Sequence, residues 1–173
     1  MGNILCLGKG TQILAENKRI INIEDVEIGC KIVSYNFQLS VIENIIVDRV
    51  AVSTHSILNK IKLQNGIELI LTPDHPIYVK NKGWCSVDFK SSFLRYNVKV
   101  KELELEDNCL IYAQDNITYS KVFSIDTIVS EEKMYNISGG DNHCFFANNI
   151  LVHDENLSLL EEKFDQSIAY LDQ

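Results

Sequence analysis

Short runs rich in isoleucine and valine recur along this chain, each closed by residues that favour turns. That rhythm restricts the fold more than any other feature. Residues 12–14 read as a short strand, Asn17-Lys18 as a hairpin turn and residues 19–23 as the returning strand. A polar connector ending at Gly29 leads into strand-like residues 31–35. Residues 41–52 form one long or bent strand, and residues 57–63 alternate apolar with polar. Asn65-Gly66 is a strong hairpin signal between residues 57–63 and 67–71. Residues 77–79 and 109–112 have strand character, and residues 119–129 and 134–137 alternate. The last hairpin turns at Asn148-Asn149. Trp84 is expected to anchor a core. Residues 86–109 are charged and lack a clean period, and are expected to be an insertion or a flexible loop. There is no βαβ alternation, no heptad and no glycine-rich phosphate loop. The expected fold class is all-β.

One loop stands apart. Leu71-Thr72-Pro73-Asp74-His75-Pro76-Ile77-Tyr78 places a hydroxyl, a carboxylate and an imidazole within four residues, and it holds both prolines of the chain. Proline fixes its own φ and biases the preceding residue to extended backbone, so the segment is a rigid, non-helical loop between two strands. Such a loop can hold a side chain at a fixed angle.

Bulk properties narrow the function. A chain of 173 residues has room for one domain with a sizeable core, or one domain plus a short appendage. The net charge of −8 argues against nucleic acid or an anionic membrane as partner. No apolar run is long enough to span a bilayer, and no secretory signal opens the sequence. Met1-Gly2-Asn3 lacks the Ser or Thr that a myristoylation signal needs, because Cys6 stands in its place. The five cysteines (Cys6, Cys30, Cys85, Cys109, Cys144) are odd in number and show no CxxC spacing. They read as free thiols in a reducing, cytoplasmic compartment. The four scattered histidines form no zinc pattern with them, so neither metal nor cofactor is expected.

The two edges of the β pattern carry chemistry. Cys6, preceded by Leu5, stands at the front, and His153-Asp154 at the back. A cysteine at the start of a domain can attack the carbonyl before it and convert that amide to a thioester. The step needs a polarised peptide bond, a proton for the departing nitrogen and hydrogen bonds to the carbonyl oxygen. Thr72 and His75 are the residue types that supply them. Past Asp154, Leu157, Leu160, Phe164, Ile168 and Leu171 fall at spacings of three and four, which predicts an amphipathic C-terminal helix capped by Asn156 or Asp154.

These motifs resemble the Hint domain, the module shared by inteins, bacterial intein-like domains and the hedgehog autoprocessing domain. The resemblance spans Cys6 to Asp154. Cys6-Leu7-Gly8-Lys9-Gly10-Thr11 resembles the amino-terminal splicing motif, and residues 23–35 its continuation. Leu71-Thr72-Pro73-Asp74-His75-Pro76 with Gly83-Trp84 resembles the TxxH motif. Residues 134–137, 142–149 and 150–153 resemble the two carboxy-terminal motifs. The resemblance implies an all-β, horseshoe-like, pseudo-two-fold fold with both edges together. It implies a five-residue leader (1–5), a Hint domain (6–154) and a helical tail (155–173). It assigns Cys6 as nucleophile, His75 as proton donor with Thr72 as its partner, His153 as helper at the carboxy-terminal bond and His143 as an orienting residue there.

Three positions depart from the family pattern. Inteins end in asparagine, whose amide nitrogen attacks the backbone carbonyl, and here Asp154 stands there. A splicing intein then carries Cys, Ser or Thr, and here Glu155 follows. Asn136 stands where many inteins carry an aspartate. Cys30 replaces another family aspartate, and nothing in the sequence explains it. Together the three favour a single-turnover autoprocessing domain over a splicing one. It would form a thioester at Leu5–Cys6, be cleaved there, and cleave slowly after Asp154. Its substrates would be its own flanking segments, acting as exteins, and it would be a monomer. The alternatives are a mini-intein that splices through Asp154 and a degenerate Hint module that binds a protein partner. His55 has no motif around it and is expected at the surface, while Cys30, Cys85 and Cys109 are expected to be core or surface residues.

Overall fold

A computed structural model describes residues 4–96 and 99–154. Thirteen strands and one helix make up most of it. The strands are β1 (Leu7–Gly8), β2 (Gln12–Leu14), β3 (Ile20–Asn22), β4 (Lys31–Asn36), β5 (Val41–Leu63), β6 (Glu68–Leu71) and β7 (Ile77–Val79). They continue with β8 (Gly83–Ser86), β9 (Lys101–Glu102), β10 (Asn108–Ala113), β11 (Asn116–Gly139), β12 (Cys144–Ala147) and β13 (Ile150–His153). The helix α1 (Phe89–Tyr96) lies between β8 and β9. The all-β expectation holds. No helix among the described residues is long and apolar enough to cross a membrane. The amphipathic helix expected after Asp154 lies outside the described residues.

Two long strands organise the molecule. β5 has 23 residues and β11 has 24, and they pair antiparallel from Val122↔Leu63 to Gly139↔Val47. The pairing shifts at three places, between Val122 and Ser124, Val129 and Glu132, and Ser138 and Gly139. The sequence reading divided each of these strands in two. Breaks in the alternation are where bulges bend one continuous strand, so pattern alone does not separate a bend from an end.

The short hairpins form as their turn residues dictate. Gly66 has φ +93°, and Asn65 Oδ1 accepts from the Ile67 N–H at 3.1 Å, turning β5 into β6. Asn148 and Asn149 both have positive φ, as a two-residue turn between β12 and β13 requires. The main core joins Leu7, Ile13, Ile32, Ile61, Leu69, Ile77, Ile111, Phe145 and Val152 from both halves of the chain.

The described residues of the 86–109 stretch include a helix and parts of three strands and are not a plain loop. Asp88 begins the helix, accepting from the Ser91 N–H at 3.2 Å and the Ser91 hydroxyl at 2.7 Å. β9 returns parallel to β8, with Cys85↔Lys101 and Ser86↔Glu102 in register. Phe93 and Leu94 of α1 are exposed and Phe89 is half-buried, so the helix has no clean apolar stripe to read in the sequence.

Candidate active site

β1 and β6 bring Cys6 to the Thr72–His75 loop. Leu7 pairs with Leu71, so the residues on either side of that pair, Cys6 and Thr72, fall together. Cys6 is fully buried and Leu5 is 2% exposed. The Cys6 N–H donates to Thr72 Oγ1 at 3.2 Å. The Thr72 N–H donates to the Cys6 carbonyl at 3.0 Å, with the Thr72 hydroxyl 3.5 Å from the same oxygen. Asn136, on β11, donates its side-chain amide to the Leu5 carbonyl oxygen. Both ends of the Leu5–Cys6 peptide group are therefore held by side chains, the oxygen by Asn136 and the nitrogen by Thr72.

His75 links the two edges of the domain. Its Nε2 lies 2.8 Å from the His153 carbonyl and its Nδ1 3.3 Å from the Cys6 carbonyl. Burial holds its imidazole down to about 4 from an ordinary value of 6.5, against the pull of those two carbonyl contacts. The ring is thus neutral at pH 7 and carries one N–H. Both nitrogens face carbonyl oxygens, which only accept, so the one N–H serves one edge at a time. The loop itself is pinned from behind. Pro73 O accepts from the Asp88 N–H at 2.8 Å, and Asp74 O accepts from the Ser92 hydroxyl at 2.6 Å.

The carboxy-terminal edge is equally enclosed. The His153 N–H donates to Pro76 O at 3.0 Å, and the Asp154 N–H donates to the His143 carbonyl at 2.8 Å. His143 adopts φ +57°, the left-handed region, which sets that carbonyl toward Asp154. Asp154 is 2% exposed. Its Oδ1 lies 3.5 Å from His143 Nδ1 and 3.9 Å from His153 Nδ1, and its Oδ2 accepts from the Gly139 N–H at 3.4 Å. His153 Nδ1 also contacts the Asp154 backbone carbonyl. The rings of His143 and His153 stack 6.4 Å apart, and Trp84 meets His153 edge-on at 4.9 Å.

All six residues singled out from the sequence fall in one connected network: Cys6 and Thr72 at the amino-terminal edge, His143, His153 and Asp154 at the carboxy-terminal edge, and His75 bridging the carbonyls of Cys6 and His153. Asn136 was noted only as a departure from the family pattern, and the structure places it on the Leu5 carbonyl. The register that brings it there, Tyr135 opposite Leu7, joins residues far apart in the chain and leaves no local signal in the sequence. His55 is not simply a surface residue: it lines a cavity of about 270 Å³ with Thr72, Pro73, Asp74 and Asp88. The thiols of Cys85 and Cys109 are buried and pushed up to about 11 and about 12, so both remain protonated core groups. Cys144 is buried too, donating to the Tyr35 carbonyl at 3.3 Å. Cys30 is partly buried and packs against the main core. No group of three or more possible metal-ligating side chains gathers among the described residues.

Several solved structures share this architecture. A DnaB intein from Synechocystis sp. PCC 6803 superposes with a TM-score of 0.73 and 21% identity, covering 88% of this chain and 99% of that one. A bacterial intein-like domain from Clostridium thermocellum gives 0.72 and 22%, covering 88% and 100%. The gp41-1 intein gives 0.66 and 20%, covering 88% and 100%. At such identities the likeness is one of fold. No curated protein matches the chain. Residues 7–114 match the family model of the Ataxin-1 and HBP1 module (AXH), a span that includes Thr72 and His75 and stops short of Asn136 and His153. The chain therefore belongs to the family of the Ataxin-1 and HBP1 module, and its fold is that of the inteins and bacterial intein-like domains.

Proposed function

We propose that the chain is a self-processing domain that cleaves its own backbone at Leu5–Cys6 in a single turnover. The observation that carries this reading is the Leu5–Cys6 peptide group, with its oxygen on the Asn136 amide and its nitrogen on the Thr72 hydroxyl. Leu5–Cys6 lies just ahead of β1, so its atoms meet side chains rather than ladder partners. Those atoms are the ones acyl transfer acts on, because charge develops on the oxygen and a proton must reach the nitrogen.

In this reading His75 Nδ1 takes the thiol proton of Cys6. Sγ attacks the Leu5 carbonyl carbon, and the Asn136 amide stabilises the oxyanion. The C–N bond breaks, and the proton held by His75 passes to the nitrogen of Cys6, which becomes an amine. Water then attacks the thioester, releasing the Leu5 carboxylate and restoring the thiol. A neutral imidazole fits this shuttle, because it can accept the proton and give it up again. The domain runs from Cys6 to Asp154, with the flanking segments as intramolecular substrates, and the thiol step belongs in a reducing compartment. Glu155 supplies no acceptor for the acyl group, so cleavage is favoured over splicing.

The test uses a larger protein fused ahead of Met1. Intact mass is followed with and without dithiothreitol, beside Cys6→Ala. Thiol-accelerated loss of the fusion at Leu5–Cys6, absent in the variant, is the expected result. Equal loss from Cys6→Ala, or none from the parent, overturns the reading.

A further inference from the structure

We propose that Trp84, Phe89 and Val100 form an acyl-side subsite. It receives a long aliphatic side chain on the residue before Cys6 and so decides which amino-terminal flanks the domain releases. The proposal rests on the reading of Leu5–Cys6 as the scissile bond.

Leu5 does not join the main core. It forms a separate cluster with Val100, and Trp84 and Phe89 pack against the pair. Leu5 is 2% exposed and Val100 7%. The apolar residues packed around the Leu5 side chain come from outside the two long strands. Trp84 stands on β8, Phe89 opens α1 and Val100 immediately precedes β9. The parallel pairing of β9 with β8 folds Val100 back over Trp84.

This wall is fastened to the catalytic loop. The Asp88 N–H, next to Phe89, donates to Pro73 O at 2.8 Å, and the Ser92 hydroxyl donates to Asp74 O at 2.6 Å. Ser86 and Ser92 are both fully buried, with their hydroxyls 2.8 Å apart. The subsite thus moves with Thr72 and His75. A side chain seated in it fixes the Leu5 carbonyl carbon, one bond from the atom that Asn136 holds. Trp84 also lies against His153, so the same wall touches both edges of the domain. This gives Phe89 and Val100 a job that a plain connector between β8 and β10 would not need. The chemistry of the pocket selects leucine or methionine. A glycine leaves it empty, and an aspartate would bury an unpaired charge.

Four versions of a tryptophan-free fusion ahead of the chain test this, with Leu5, Leu5→Met, Leu5→Gly or Leu5→Asp. Thiol-induced release of Leu5→Met should stay within about threefold of the parent, and Leu5→Gly and Leu5→Asp should fall about ten- to a hundredfold, the worth of one buried aliphatic side chain. Val100→Ala separates the pocket from the intrinsic reactivity of residue 5. It should slow the Leu5 protein and leave Leu5→Gly unchanged. Trp84 is the one tryptophan of the chain, so its emission reports docking without any reaction. In a Cys6→Ala background, Leu5→Asp should shift it to the red. Equal release from Leu5 and Leu5→Gly, or an equal slowing of both by Val100→Ala, overturns the subsite while leaving self-cleavage intact. A parent that never cleaves but whose Trp84 emission responds to residue 5 overturns self-cleavage and leaves the pocket. Neither cleavage nor a response overturns both.

Discussion

The side-chain amide of Asn136 donates to the carbonyl oxygen of Leu5 across 131 residues of chain. A neutral amide at this place can only help as charge grows on the oxygen, so its contribution should be largest in the transition state. Asn136→Ala is expected to slow thiol-induced release of an amino-terminal fusion about 100- to 1,000-fold, the usual effect of losing an oxyanion donor. Asn136→Asp offers an acceptor to an acceptor, and should be nearly as slow at neutral pH. Intact masses over time decide it, and an Asn136→Ala rate within twofold of the parent would falsify the role.

Thr72 holds the other end of the same bond. Its hydroxyl accepts from the Cys6 N–H and its own N–H holds the Cys6 carbonyl. The hydroxyl's contacts, including the one 3.5 Å from the Cys6 carbonyl, depend on the side chain, and the backbone one does not. Thr72→Ser should therefore keep the rate, while Thr72→Val, with the same shape and no hydroxyl, should lose about tenfold, one hydrogen bond's worth. Equal rates for Ser and Val at position 72 would remove the hydroxyl from the mechanism.

Much of this site was legible because its parts lie in short local motifs. Thr72 and His75 sit in a loop marked by two prolines, and Cys6 and His153 stand where the strand pattern starts and stops. What joins them is not local. Asn136 reaches Leu5 only because β11 pairs with β1, and strand pairing between residues so far apart leaves no periodic trace. The Leu5 pocket was hidden for a related reason: Trp84, Phe89 and Val100 belong to three elements and share no spacing. The hairpins at Asn65-Gly66 and Asn148-Asn149 were plain, since their turns require positive φ and name the residues that tolerate it.

His75 should make the domain acid-sensitive. Its folded value of about 4 lies below the ordinary 6.5, so the unfolded chain binds more protons between those values. Stability from this group is full above about pH 6.5 and is lost as pH falls toward 4, by about 3 kcal/mol at most. His143, His153 and Asp154 lie in the same network, so the comparison must be between proteins. Urea midpoints from pH 7.5 to 4.5 should fall less steeply for His75→Gln than for the parent. Parallel curves would show that His75 does not titrate in this window.

Gly139 marks the bulge where β11 ends against β5. A Cβ there would lie 2.1 Å from the Ile46 carbonyl oxygen and 2.9 Å from Val47 Cα, both backbone atoms that cannot step aside. The Gly139 N–H also reaches Asp154. Gly139→Ala is expected to cost about 3 kcal/mol of stability by overpacking, read as a lower urea midpoint at unchanged slope. An unaltered midpoint would mean that the two long strands slide past each other freely at this end.

Asp154 is enclosed as if for reaction but carries the wrong atom. His153 Nδ1 contacts its backbone carbonyl, and His143 and His153 flank its carboxyl at 3.5 and 3.9 Å. A carboxylate is a poor partner for attack on its own carbonyl, since ring closure would give a cyclic anhydride, a reactive acyl donor that the departing amine attacks in return. An amide nitrogen in the same place can close to a succinimide. The C–N bond after residue 154 breaks, and one amide proton ends on the departing nitrogen of Glu155. Asp154→Asn should therefore release a fragment beginning at Glu155 within hours at pH 7, while the parent stays whole at that bond. His153→Ala on top of Asp154→Asn should suppress the release about 100-fold or more, the usual contribution of a positioned proton donor. Intact mass and amino-terminal sequencing of the fragment read both outcomes. If Asp154→Asn stays whole, the carboxy-terminal edge lacks more than an amide. The departure at 154 would then be one of several in an edge whose packing has outlived its chemistry. If it cleaves, a single oxygen-for-nitrogen exchange separates a domain that releases only its front from one that releases both ends.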